Sequence, residues 1–213
     1  MNIPLAGLEA IDAVTIIGNG VRDAITYLIL CHRLNGRYVV GVTSALRVNL
    51  SIETMISIVM GERVNKFIIA LDQEEFELDN LWSLVENKLG EYGIEWSLVK
   101  VGDRFRLYKC VHGVRDFYVI PVINGLSRRS YSKHVIEDHL LEVVKSVRDR
   151  DLLNYLSSFI DRIADPKELW NRLVQSYSDA DQRIYRYMLD MDYRELRHLF
   201  LQQTSALELI TEI

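Results

Sequence analysis

Asp72 and Glu74 are two carboxylates at alternating positions just past an apolar run, KFIIAL over residues 66–71. After a strand, side chains so spaced point to one side. Hard oxygen donors of this kind suit Mg2+ or Mn2+. Such an ion implies a phosphate substrate, whose developing charge it neutralises. The same acids also suit a plainer role at the start of a helical turn, where carboxylates favour the positive end of the dipole. A second cluster is basic: Gly125-Leu-Ser-Arg128-Arg129-Ser130-Tyr-Ser-Lys133. Paired arginines contact phosphate bidentately and serine hydroxyls add donors. The cluster falls between a strand and a helix, where a phosphate can sit; the alternative is a solvated loop with Ser132 capping the helix.

The elements that must position these residues alternate. VTII (14–17), RYVVGVT (37–43) and KFIIAL (66–71) read as strands. Helical spacing covers 23–34, 51–60 with Ser51 as cap, and 79–89, closed by Gly90 and Gly93. Runs at 94–101, 105–111 and 116–123 read as further strands, and 135–147 as a helix. Short turns between alternating strands and helices predict an α/β fold with an open, mainly parallel sheet flanked by helices. In such a sheet, ligands bind beyond the carboxyl ends of the strands. There the first strand delivers Asn19, Gly20, Arg22 and Asp23, the third Asp72, Gln73, Glu74 and Glu75, and a later one Asn124 followed by Arg128, Arg129 and Ser130.

The segment Ile16-Ile-Gly-Asn-Gly-Val-Arg-Asp23 resembles the first Toprim motif, an apolar strand ending in Glu-Gly with an aspartate three residues on. Gly20 and Asp23 match it, and Asn19 stands at the glutamate position. The segment Phe67-Ile-Ile-Ala-Leu-Asp72-Gln-Glu74 resembles the second motif, a strand ending in Asp-x-Asp, with Glu74 for the second aspartate. Glu137-Asp138-His139-Leu140-Leu141 is similar to the Glu-Asp-x-Leu-Leu element of small Toprim-like families distantly related to the nucleases of the overcoming-lysogenisation-defect type. The resemblance covers residues 12–145. It implies a Toprim-like domain acting on, or binding, nucleic-acid or nucleotide phosphates. Asp72 and Glu74 would be Mg2+ or Mn2+ ligands, Gly20 would lie against phosphate, and Glu137 and Asp138 would support the site. An amide cannot exchange a proton near neutral pH. With Asn19 at the glutamate position, either another carboxylate, Glu75 or Glu137, takes the acid–base role beside Asp23, giving a nuclease-like enzyme, or the domain is a non-catalytic binding or regulatory module.

From Arg148 the character changes. Residues 151–213 hold no glycine and no strand-like run, and they predict three or four helices, with Pro166 in the first turn of one. Two domains are expected, 1–147 and 148–213. Aromatic side chains among arginines in the second domain suit stacking on bases, but Asp179, Asp181, Asp190, Asp192 and Glu195 neutralise the patch, which favours an amphipathic bundle with arginine stems over rings. Residues 151–213 are the expected contact for a protein partner or a second copy of the chain.

Composition bounds the rest. The chain has 213 residues, 49% hydrophobic content and a net charge of -5, so no bulk basic field exists for nucleic acid. Cys31 and Cys110 each sit in an apolar run and read as buried thiols. No apolar run reaches a membrane span and the start lacks the pattern of a signal peptide. The expectation is a cytoplasmic protein with no membrane contact.

Overall fold

The computed structural model describes residues 13–18, 20–34, 38–42, 48–61, 64–126, 131–147, 149–159 and 162–213. Two compact units share this chain. The first holds the described residues of 1–71, 78–123 and 202–213; the second holds 72–77 and those of 124–201. The boundary expected at 147/148 falls inside the second unit.

The strands are β1 (Ala13–Ile17), β2 (Tyr38–Val42), β3 (Lys66–Asp72), β4 (Glu95–Val101), β5 (Arg106–His112) and β6 (Arg115–Asn124). They form one sheet in the order β2-β1-β3-β6-β5-β4. β1 pairs in parallel with β2, Thr15 opposite Val40, and with β3, Thr15 opposite Ile68. Its AVTII sequence is buried throughout, as a strand flanked on both edges requires. The far half is an antiparallel meander, β4 on β5 and β5 on β6. The sheet is therefore mixed, and the expectation of a mainly parallel one holds for the β2-β1-β3 half. Residues 102–105 and 113–114 are too short for the crossover that a parallel pair demands, and they turn the chain straight back.

Helices α1 (Val21–Arg33), α2 (Val48–Gly61) and α3 (Leu78–Glu91) belong to this unit. α2 begins before Ser51, which is buried inside it rather than capping it. α3 runs through Gly90, and the Ile94 N–H returns to the Leu89 carbonyl at 3.0 Å. Ile52, Met55, Phe67, Val85, Tyr108 and Phe117 share the core, with Phe67 and Phe117 edge to face at 6.1 Å. Glu86 ties α3 to β5, accepting from Arg106 and from the Tyr108 hydroxyl at 2.7 Å each. Cys31 and Cys110 are buried and unbridged, and burial pushes both thiols up to about 12, as in structural cysteines.

The second unit is built on α4 (Ile136–Ser146), which packs against α5 (Arg150–Phe159), α6 (Pro166–Ser176), α7 (Ala180–Asp190) and α8 (Tyr193–Leu199). α9 (Leu201–Glu212) follows in sequence, and from Gln202 on it belongs to the first unit. Among the described residues, five helices stand beyond α4 where three or four were expected. Asp179 and Asp192 precede the extra starts, and Asp192 caps α8 through the Arg194 N–H at 2.8 Å. Asp165 caps α6, accepting from the N–H groups of Lys167 and Glu168, with Pro166 in the first turn as expected. Arg183 and the Tyr187 hydroxyl both donate to Asp149. Among the described residues no helix is long and apolar enough to cross a membrane.

Candidate functional site

The second unit gathers Asp72, Glu74, Glu75, Glu137 and Asp138, five of the residues the sequence singles out. Gly20 and Asp23 lie in the first unit, in the turn from β1 into α1. Asn19, Arg128, Arg129 and Ser130 lie outside the described residues.

Asp72 ends β3, and its carboxylate works as a fastener. Oδ1 accepts from the Asn124 side-chain amide at 3.1 Å and from the Ile136 N–H at 3.1 Å. The second bond caps α4 from a residue distant in sequence. Val135, the residue before the helix, supplies no side-chain cap, and neither does Ser132. Asp72 and Glu74 do not open a helical turn either, since α3 begins at Leu78. Glu74 instead takes a left-handed backbone, φ 54°, and exchanges both backbone hydrogen bonds with His134, at 2.9 and 3.0 Å. A left-handed non-glycine residue persists only where its surroundings hold it.

One cation meets both acids. Lys167 Nζ bonds to Glu74 Oε1 and lies 3.7 Å from Asp72 Oδ2. Burial pulls the lysine pKa down, but Glu74, Asp72 and Glu137 outweigh it and hold the ammonium above its ordinary value. Burial pushes the Asp72 carboxyl up to about 6, against Lys167 and Asn124, with Glu137 and Glu74 adding to the rise. Lys133 lies 3.6 Å from Glu75 and 3.7 Å from Asp165, so the loop before α4 and the start of α6 share a second cation. The Ser132 N–H also donates to the Ala164 carbonyl at 2.9 Å.

Asp138 and His139, on the buried face of α4, fix the turn after β6. Asp138 Oδ2 accepts from the Leu126 N–H and from His134 Nδ1, each at 3.1 Å. His139 Nε2 accepts from the Gly125 N–H at 3.2 Å, so its Nδ1 carries the proton and donates to the Leu199 carbonyl at 2.8 Å. Its ring stacks on Phe200. The imidazole is thereby spoken for on both nitrogens.

The turn into α1 has a local reason of its own. Gly20 caps the helix with an extended backbone and no side-chain bond. A Cβ there would collide with the Asp23 carboxylate, which folds back over the helix start. Gly20 and Asp23 thus form one packed unit with an anion already at the N-terminus, where a phosphate would otherwise go. Gly20→Ala is expected to cost about 1 kcal/mol through this clash and the displaced carboxylate. Thermal unfolding of both single variants and the double Gly20→Ala/Asp23→Ala checks it: the Gly20 penalty shrinks once Asp23 is gone, and strict additivity would rule the clash out.

Mg2+ requires near-octahedral oxygen donors at about 2.1 Å. Asp72 Oδ1 already accepts two N–H groups, and Asp72 Oδ2 and Glu74 Oε1 face an ammonium that would repel a divalent ion. As arranged, these residues do not fit a resident divalent ion. Among the described residues, no group of three His, Cys, Asp or Glu side chains is placed to hold a metal. Asp72, Glu74 and Asn124 stand out in the sequence, whereas Lys167 does not: it sits in the first turn of a helix with no local mark of its long-range partners. No family model, no curated protein and no solved structure matches the chain.

Proposed function

We propose that this chain is a non-catalytic binding module on a Toprim-like scaffold, which contacts nucleic-acid or nucleotide phosphates through Arg128, Arg129 and Ser130 and a protein partner through its C-terminal helices. The observation that carries the reading is the lysine: the two carboxylates expected to hold Mg2+ are engaged by Lys167. Asn19 points the same way, because an amide at the glutamate position leaves the first motif without its acid–base group. The order of elements is compatible with the scaffold, with parallel β1 and β3 running side by side into the two resembling segments.

The second reading is a Mg2+- or Mn2+-dependent, nuclease-like enzyme. What favours it is the convergence of Asp72 and Glu74 on one cationic point, where a single divalent ion in place of the ammonium would meet both acids. Fluorescence polarisation with labelled single-stranded and duplex oligonucleotides and a nucleotide analogue separates the two. Binding is expected in EDTA, weakening as salt rises because phosphate contacts release counterions. The double variant Arg128→Ala/Arg129→Ala is expected to bind about tenfold or more weakly, the scale of two charge-assisted contacts. Incubation with roughly 5–10 mM Mg2+ or Mn2+, enough to saturate weak carboxylate sites, is expected to leave the strands uncut. Cleavage that disappears in Asp72→Ala would establish the enzyme reading instead. Failure to bind any of the probes would remove phosphate recognition from the proposal.

A further inference from the structure

We infer that Lys167 is the resident cation of the Asp72–Glu74 pair, a tethered ammonium that excludes divalent metal from a carboxylate arrangement otherwise able to take one. The inference deepens the binding-module reading and rests on it for its functional meaning, while its own evidence is the geometry around Nζ.

Three observations carry it. Both acids converge on the one nitrogen, Glu74 by direct bond and Asp72 at 3.7 Å, so the pair is aimed at a single point. Lys167 also stands where local physics disfavours it. It lies in the first turn of α6, next to Pro166, and a cation there opposes the helix dipole. Tertiary carboxylates, not helix formation, account for an ammonium at this place. Finally, its base is fixed. The Lys167 N–H donates to Asp165 Oδ1 at 2.9 Å, and Asp165 in turn faces Lys133 at 3.7 Å. The ammonium therefore reaches the pair from an anchored helix start rather than from a wandering loop.

A compact ammonium neutralises one of the two negative charges without the six-fold coordination that Mg2+ demands. Glu74 keeps its left-handed turn and its bridge to His134 with Lys167 in place. Removing the lysine leaves Asp72 Oδ2 and Glu74 Oε1 aimed at a common point without their ammonium, two oxygen donors that a hard divalent ion could share with water.

The test is a calorimetric and thermal-unfolding titration with MgCl2 and MnCl2 on the full chain, as wild type, Lys167→Met and Lys167→Met/Asp72→Asn. Wild type is expected to show no saturable binding and no rise in Tm. Lys167→Met is expected to gain saturable binding and a Tm rise of about 3 °C at ten times its dissociation constant. The double variant is expected to lose that gain. Saturable binding by wild type at similar strength overturns the inference, and so does a folded Lys167→Met that gains nothing. Should Lys167→Met fail to fold, Mn2+ added to isotope-labelled wild type decides. Unbroadened amide signals at Glu74 and Ile136 are expected, and selective broadening there refutes the exclusion. Oligonucleotide binding in EDTA is read separately, so a metal-binding wild type would sink the lysine while leaving phosphate recognition standing.

Discussion

Gly125→Ala is expected to destabilise the protein by about 3–5 kcal/mol, out of the 5–15 kcal/mol that natural domains typically have. Two costs combine. Gly125 has φ 113°, outside even the left-handed well that other residues visit, and strain of that kind costs about 1–3 kcal/mol. A Cβ would also stand 2.9 Å from the His134 carbonyl carbon and 3.0 Å from its Cα, and closer still to its Cβ. Overpacking of this sort costs about 1–3 kcal/mol where the neighbour cannot yield, and here it is pinned. His134 is bonded to Glu74 through both its N–H and its carbonyl. Gly125 is held by His139, and Leu126 by Asp138. Urea unfolding of wild type and variant reads the loss as a lower midpoint at an unchanged slope. Gly113→Ala is the control: φ there is 60° and nothing lies within 4 Å, so about 1 kcal/mol is expected. Equal losses at the two positions would mean that the contact with His134 carries no weight. Gly125 opens the segment leading to Arg128, Arg129 and Ser130, so the variant should also weaken oligonucleotide binding if that segment makes the contact.

The sequence exposes the features whose causes are local. VTII and KFIIAL are legible as buried strands because β-branched and apolar runs bounded by glycine or acids have few other uses, and both stand as β1 and β3. Asp165-Pro166 marks the start of α6 because an acceptor followed by a residue without an N–H fits a helix start and little else. What fails to show is set by distance. The partners of Asp72 and Glu74 lie far along the chain, Ile136 at a separation of 64 residues and Lys167 at 93 from Glu74. Alternating acids look alike whether a metal, a lysine or a helix end awaits them. Ser51 and Ser132 are good caps by type, yet α2 starts earlier and α4 takes its cap from Asp72. The antiparallel half of the sheet was open to the same ambiguity. Apolar runs name strands without naming direction, and only the short 102–105 and 113–114 connections decide it.

Asp72→Asn is expected to match wild-type stability near pH 4 and to exceed it by on the order of 1–2 kcal/mol near pH 7. In the unfolded chain Asp72 titrates near 3.8, whereas burial raises the folded carboxyl to about 6. Below 3.8 both states hold the proton, and the group contributes no difference. Between 3.8 and 6 the folded state keeps a proton that the unfolded state has released, so stability falls as pH rises. Above about 6 the full cost of the buried charge is present. A tenfold change in proton affinity corresponds to about 1.4 kcal/mol, and the side chain is still 21% exposed, so water screens part of the cost. Asparagine mimics the protonated acid: its Oδ1 still accepts from Asn124 and from the Ile136 N–H, so α4 keeps its cap. Urea unfolding of both proteins at pH 4, 5, 6 and 7 gives the difference directly, free of the other carboxylates and histidines that titrate in both. A difference that grows with pH means that desolvation outweighs Lys167, and that the fold tolerates this carboxylate at a cost in stability. The opposite slope, with wild type gaining on the variant as pH rises, would make the ion pair with Lys167 the dominant force and place the folded pKa below 3.8. In that case the lysine would hold a fully charged Asp72, and a divalent ion would face a stronger competitor still.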